Sequence, residues 1–207
     1  MSARGRGIAP CRDVSFAVPA GSVSALVGRE GSGKRAILRC ASGELRPESG
    51  RVLVLGLDPR RGRRALRRRV QYLPAEGELR LDPEAGPATI LVVTDDPNRA
   101  KAADRVGFLK DGRLVLEDER AVVESRFRRI RYVNEVTEER TEYGTELDLF
   151  DAVRVRVRGW GVDAVVSNFE DAKFERFRAI EGVVDARAEA VTLEEIFTAV
   201  VGRAAAI

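Results

Sequence analysis

The sequence predicts an α/β chain in two parts. Residues 1–120 read as a core sheet with flanking helices and an antiparallel β part. Residues 121–207 read as a small α+β accessory domain. Three observations predict this. An apolar strand pattern runs into a glycine-rich loop and then into a helix pattern. Strand and helix signals alternate from there to about residue 120. Beyond that point strands cluster first and helices follow.

Val14-Ser15-Phe16-Ala17-Val18 alternates like a strand, and Pro19-Ala20-Gly21 turns it. Ser22 to Val27 is a short buried strand that ends at Gly28. Arg35 to Ala41 is a helix stopped by Gly43. Arg51 to Leu55 is a strand closed by Gly56. Leu66 to Arg69 is helical and Val70 to Leu73 a strand. Pro74 to Pro87 is poor in apolar residues and reads as a loop. Thr89 to Val93 is an apolar strand. Asp96 caps a helix that starts with Pro97. Phe108–Lys110 and Arg113–Leu116 form a hairpin, because Asp111-Gly112 supplies two positive φ angles.

In the second part Phe127–Val136, Val153–Arg158, Val162–Val166 and Val183–Val191 read as strands. Asn168-x-x-Asp171 opens a helix that runs to Ile180. Thr192-Leu193-Glu194-Glu195 is a capping box, and Leu193, Ile196, Phe197, Val200 and Val201 form an apolar face behind it.

Composition narrows the chemistry. Histidine is absent, which removes imidazole acid–base catalysis, His metal ligands and Ser-His triads together. Two cysteines, Cys11 and Cys40, lack metal-ligand spacing and read as reduced thiols of a cytosolic protein. No metal site is expected. No stretch approaches the roughly 20 apolar residues that span a bilayer, and the N-terminus has no apolar segment of a secretory signal. The formal net charge is +3. The arginine run at 60–69 reads as a solvated loop and helix start. No aromatic interleaves with it to stack a base, so nucleic acid is not an expected partner. Trp160 reads as turn packing, and the arginines at 126, 128, 129 and 131 as alternating out of a strand.

The chemistry concentrates at Gly28-Arg29-Glu30-Gly31-Ser32-Gly33-Lys34-Arg35, which fits G-x-x-x-x-G-K between a strand and a helix. Glycines let the backbone wrap a phosphate with its N–H groups inward, and the helix adds its positive end. The expected binding residues are Gly28, Gly31, Ser32, Gly33, Lys34 and Arg35. Lys34 is a point charge for terminal phosphates. A working loop of this kind has Ser or Thr after the lysine to hold Mg²⁺. Arg35 stands there and has only donors. It either replaces the metal and forks onto phosphate oxygens, or points to solvent or pairs with Glu30.

Further segments agree in order: Val14-Ser15-Phe16…Pro19-Ala20-Gly21 before the loop, Ala41-Ser42-Gly43-Glu44-Leu45-Arg46-Pro47-Glu48-Ser49-Gly50 after it, then Leu66-Arg67-Arg68-Arg69-Val70-Gln71-Tyr72-Leu73-Pro74, Ala103-Asp104-Arg105-Val106-Gly107-Phe108-Leu109-Lys110-Asp111-Gly112-Arg113-Leu114, and the ending Leu193-Glu194-Glu195-Ile196-Phe197. Together they resemble the ABC transporter ATPases, especially the exporter type that works with a separate permease. The resemblance implies a P-loop NTPase-like core. It implies ATP or ADP as ligand; Arg35 at the magnesium position and the missing adenine partner predict weak binding that can proceed without magnesium. It also implies a cytoplasmic protein, peripheral to the inner face of a membrane.

The resemblance also shows what is missing. In the family Tyr-Leu-Pro is followed by a glutamine that couples nucleotide to the permease; here that position is Ala75. A helical subdomain, the LSGGQ signature and a strand ending in Asp-Glu then follow in the family, and none occurs between Ala75 and Thr89. Asp95 stands at the position of the family's γ-phosphate histidine. The aromatic that stacks on adenine has no counterpart near the N-terminus. Losing one transition-state contact costs on the order of a hundredfold in rate, so this inventory predicts no hydrolysis and no catalytic residue. Thr89–Val93 is expected beside Ser22–Val27, with Gln71–Leu73 closing the gap. The leading expectation is a pseudo-ATPase, partner of an ABC permease or of an intact ABC ATPase. The alternatives are a transport-independent scaffold or homodimer derived from such an ATPase, and an active ATPase whose turnover depends on Lys34.

Overall fold

A computed structural model of the chain describes residues 1–66, 70–73, 78–81, 88–134, 145–159 and 161–202. Ala75, Trp160 and residues 67–69 lie outside the described residues. The chain divides into two compact units, Met1–Arg120 and Ala121–Arg203.

The first unit opens with a hairpin, β1 (Ala3–Gly5) and β2 (Ile8–Cys11), turned at Gly7. Strand β3 (Val23–Gly28) follows, and Ala25, Leu26 and Val27 are each 2% exposed or less. Such a continuous apolar run suits a strand with neighbours on both sides. Helix α1 (Lys34–Ala41) turns Ala36, Ile37, Leu38, Cys40 and Ala41 into the core. It ends where Gly43 takes a φ of 78° and donates 3.1 Å to Cys40 O. After α2 (Arg63–Leu66) come β4 (Val70–Leu73), β5 (Glu78–Leu81) and β6 (Thr89–Thr94). A 3-10 turn, Pro97–Ala100, leads to β7 (Arg105–Lys110) and β8 (Arg113–Glu119).

These strands make one six-stranded sheet, ordered β4-β5-β6-β3-β7-β8. β3 lies between β6 and β7 and is parallel to both, with Val27 opposite Thr94 and Phe108. The expected pairing of the 89–93 strand beside the loop strand is therefore found. Cys11, Leu26, Ile37, Leu91, Val93 and Leu109 share one core that α1 covers. Asp111 and Gly112 have φ of 49° and 81°, as the expected hairpin turn requires. Asp96 caps the turn that starts with Pro97 by accepting 2.9 Å from the Asn98 amide.

Three expectations in this unit need correction. Pro74–Pro87 is not all loop: β5 forms within it. β4 accordingly does not close on β6, because β5 intervenes, antiparallel to both. An open edge of β6 supplies unpaired N–H and C=O groups, and a short alternating segment satisfies them. Val14–Val18 and Arg51–Leu55 form no strand among the described residues. They alternate in burial, with Val14 buried and Ser15 and Ala17 exposed, but apart from a bridge between Val54 and Leu57 they have no ladder partner. Both segments line an apolar cleft of about 560 Å³ instead.

In the second unit α3 (Arg120–Arg126) leads to β9 (Arg128–Asn134), a 3-10 turn (Thr145–Phe150), β10 (Ala152–Arg158), β11 (Gly161–Val166), α4 (Asp171–Arg178), β12 (Val183–Ala190) and α5 (Leu193–Val201). The four strands form an antiparallel sheet ordered β10-β11-β9-β12. Ile130, Tyr132, Val162, Ala164 and Val166 pack with Phe150 and Phe177 into one core, where Tyr132 meets Phe177 edge-on at 5.0 Å. The helix expected from Asn168 starts three residues later, capped at Glu170 without a side-chain bond. The capping box at Thr192 and Glu195 is present in both directions.

The arginines of β9 are less solvated than alternation alone implies. Arg129 meets Glu195 at 2.7 Å and Asp163 at 3.6 Å; Arg131 meets Asp163 at 3.2 Å and Glu189 at 3.3 Å. The Arg128 guanidinium lies 5.5 Å over the Phe169 ring.

Candidate functional site

The glycine-rich loop sits at the end of β3, where the chain leaves the sheet for α1. Gly28 has no room for a side chain: a β-carbon would fall against Ser32 Oγ and 2.9 Å from Leu109 O. Gly31 has a φ of 79° over open space. Gly33 caps α1 in the left-handed region, φ 89°, and a β-carbon there would lie 2.6 Å from Pro10 O. The N-terminal hairpin is thus laid directly against the loop. The first intrahelical bond runs from the Ala36 amide to Gly33 O at 3.0 Å, so the amides of Lys34 and Arg35 have no partner within the helix.

Lys34 folds back over the loop. Its ammonium donates to the carbonyls of Gly28 and, at 2.7 Å, Arg29. Burial holds its pKa below the ordinary 10.5, against the opposing pull of Asp95 and Glu30. Ser32 is 4% exposed, and its hydroxyl has no hydrogen-bond partner among the described residues. A buried orphan hydroxyl costs stability unless something occupies it. Arg35 is exposed and makes no ion pair with Glu30 among the described residues.

Together these groups open onto a cleft of about 860 Å³. Its cationic members among the described residues are Arg6, Lys34, Arg35, Arg39 and Arg99, and its acidic members Glu30 and Asp95. Arg39 is itself paired with Glu44 at 3.3 Å. Arg6 and Ile8 come from the hairpin, a contribution the sequence did not signal. Ile8 lines the wall, and no aromatic side chain does so among the described residues.

All six expected binding residues meet here except Gly28, which lies under the loop and shapes it without lining the cleft. The site fits a phosphate chain: a buried free hydroxyl, loop glycines that admit close approach, and a helix start. Arg35, at the position after the lysine, offers no oxygen to Mg²⁺. Among the described residues no group of three or more His, Cys, Asp or Glu is placed to hold a metal. No described helix is long and apolar enough to cross a membrane.

A β-strand running through a glycine-rich loop into a helix, between two parallel neighbours, defines a P-loop, NTPase-like core. The chain belongs to the ABC transporter family, whose model matches residues 11–153. It is 43% identical over 53 residues to the phosphonates import ATP-binding protein PhnC of Nitratidesulfovibrio vulgaris, covering 26% of this chain and 20% of that one. It is 37% identical over 76 residues to the Fe(3+) ions import ATP-binding protein FbpC of Pseudomonas fluorescens, covering 35% and 22%. The ABC transporter ATP-binding protein YtrE of Bacillus subtilis is 43% identical over 47 residues, covering 23% and 20%. The chain spans about a fifth of the length of the curated relatives it matches.

Proposed function

We propose that this chain is a degenerate ABC-type nucleotide-binding subunit, a pseudo-ATPase. It holds ATP or a phosphate group in the loop cleft without hydrolysis and serves as structural or regulatory partner of an ABC exporter. One observation carries the reading: the cleft has a loop built for phosphate, but the strand beyond β6 runs antiparallel to it. In the family the strand beyond the 89–93 strand ends in Asp-Glu, next to the P-loop. Here that place is taken by β5, antiparallel to β6, so Leu81 pairs with Thr89 at the far end of the sheet. The C-terminal end of β5 therefore lies at the opposite end of the sheet from Thr94 and the loop. Arg35 stands where magnesium coordination needs a hydroxyl, and β5 does not carry a catalytic carboxylate to the loop from its C-terminal end.

The exporter assignment is supported by the ending Leu193-Glu194-Glu195-Ile196-Phe197, which folds as the capped start of α5. The test is co-purification with a membrane permease or an intact ABC ATPase, together with ATP binding and turnover. Association with either, binding of ATP, and no turnover support the reading. Turnover that Lys34→Ala abolishes would instead make the chain an active enzyme.

One observation favours the second reading, a transport-independent assembly protein. Edge strand β10 leaves Val155 and Val157 41% and 44% exposed, and an open edge with apolar residues pairs readily with another chain. Homo-oligomers that bind no permease or ATPase would favour this second reading over the first.

A further inference from the structure

We propose that the loop cleft takes an uncomplexed inorganic phosphate chain, such as triphosphate, in preference to a nucleotide, and that Arg6 of the β1–β2 hairpin helps to bind it. This rests on the phosphate-holding part of the function proposed above and names its ligand.

Ser32 is the first ground. The residue is 4% exposed and belongs to the cleft lining, and its hydroxyl has no partner among the described residues. A phosphate oxygen accepts from such a hydroxyl and from the amides at the start of α1. That accounts for a phosphate, and nothing so far for a base.

The walls decide between chain and nucleotide. Adenine needs a flat apolar surface, usually an aromatic ring, to replace the water it loses. The described walls offer Ile8 and Leu38 but no ring. The hairpin instead contributes Arg6, held in place because Pro10 closes on Gly33. Arg6 and Arg35 are exposed at the rim and add to Lys34 at the loop. Guanidinium groups bind phosphate oxygens in a fork and favour dense negative charge.

Magnesium tells the same story. A triphosphate without metal is more negative than its magnesium complex. Where Arg35 replaces the metal-holding hydroxyl, Mg²⁺ and guanidinium compete for the same oxygens. Metal-free ligand is therefore the better match, opposite to a working P-loop.

The experiment is calorimetric titration of the full chain with sodium triphosphate, pyrophosphate, ATP and adenosine, each with chelator and with excess magnesium. Triphosphate is expected to bind more tightly than ATP, adenosine not to bind, and magnesium to weaken triphosphate. Arg6→Ala should weaken triphosphate about tenfold, the loss of one charge-assisted contact. Arg4→Ala is the control, since Arg4 is exposed on the same hairpin, faces Glu48 at 4.0 Å and does not line the cleft. ATP binding as tightly as triphosphate, or more tightly, would overturn this inference and leave the proposed function standing. Equal losses from Arg6→Ala and Arg4→Ala would remove Arg6 from the site. Failure of every phosphate ligand to bind a natively folded chain would overturn this inference and the phosphate-holding part of the proposed function together.

Discussion

A β-carbon on Gly33 would lie 2.6 Å from the carbonyl oxygen of Pro10. The same oxygen would lie 2.7 Å from a β-carbon on Gly112, at the β7–β8 turn. One carbonyl of the N-terminal hairpin is thus wedged between the phosphate loop and the turn of a distant hairpin. Both glycines have positive φ, 89° and 81°, so neither position tolerates a side chain on backbone grounds alone. This contact brings Arg6 and Ile8 into the cleft wall.

Gly33→Ala should therefore lower stability by about 2 kcal/mol or more, through strain and displacement of the hairpin. Gly31→Ala has a similar φ of 79° but meets open space, and should cost about 1 kcal/mol. Urea unfolding of the two variants measures the difference. Equal losses would mean that the Pro10 contact contributes nothing.

Lys34→Ala should change stability little. It loses two bonds to loop carbonyls but also removes a half-buried charge. Its effect on phosphate affinity should be larger, about 2 kcal/mol or roughly thirtyfold. Titration and urea unfolding on the same sample separate the two effects.

The α5 start provides a stability test outside the cleft. Thr192 accepts from the Glu195 amide at 3.3 Å, and Glu195 accepts from the Thr192 amide at 2.9 Å. Thr192→Ala should cost about 1 kcal/mol. The Thr192 amide bond, then the Arg129 contact, hold the Glu195 pKa below its ordinary 4.5. A lowered carboxyl pKa gives stability that is present above 4.5 and lost as pH falls through the folded value. Acid titration of unfolding should show that loss in the wild type and a smaller one in Glu195→Gln.

Cys40 gives the opposite sign at alkaline pH. Burial, and then Cys11 beside it, push its thiol from 9.0 up to about 11. The unfolded chain loses this proton first, so the contribution is full below pH 9.0 and is lost as pH rises through about 11. Stability of the wild type should fall more steeply across that window than stability of Cys40→Ala.

Local chemistry was legible wherever a residue type settles a backbone state. Asp111-Gly112, Thr192-x-x-Glu195, Asp96-Pro97 and the glycines of the loop each act within a few residues, and all stand where expected. The apolar runs marked β3 and β6 as buried strands, and their pairing was legible from the family resemblance, which sets the 89–93 strand beside the loop strand. What failed depends on distant partners. Val14–Val18 has the alternation of a strand and lacks a ladder partner among the described residues, whereas β5 has little apolar character and gains one from β6. Asn168 is a good cap by type, yet the helix begins after Glu170. At the site, the loop was plain from spacing. Arg6 and Ile8 were not, because only the Gly33–Pro10 approach places them there.

The central claim, phosphate binding without hydrolysis, is tested most directly by incubating excess protein with γ-labelled ATP and magnesium and following labelled phosphate. Recovery of intact ATP over hours, at a concentration where binding is measured, is the predicted result. Magnesium-dependent release of labelled phosphate that Lys34→Ala abolishes would contradict it.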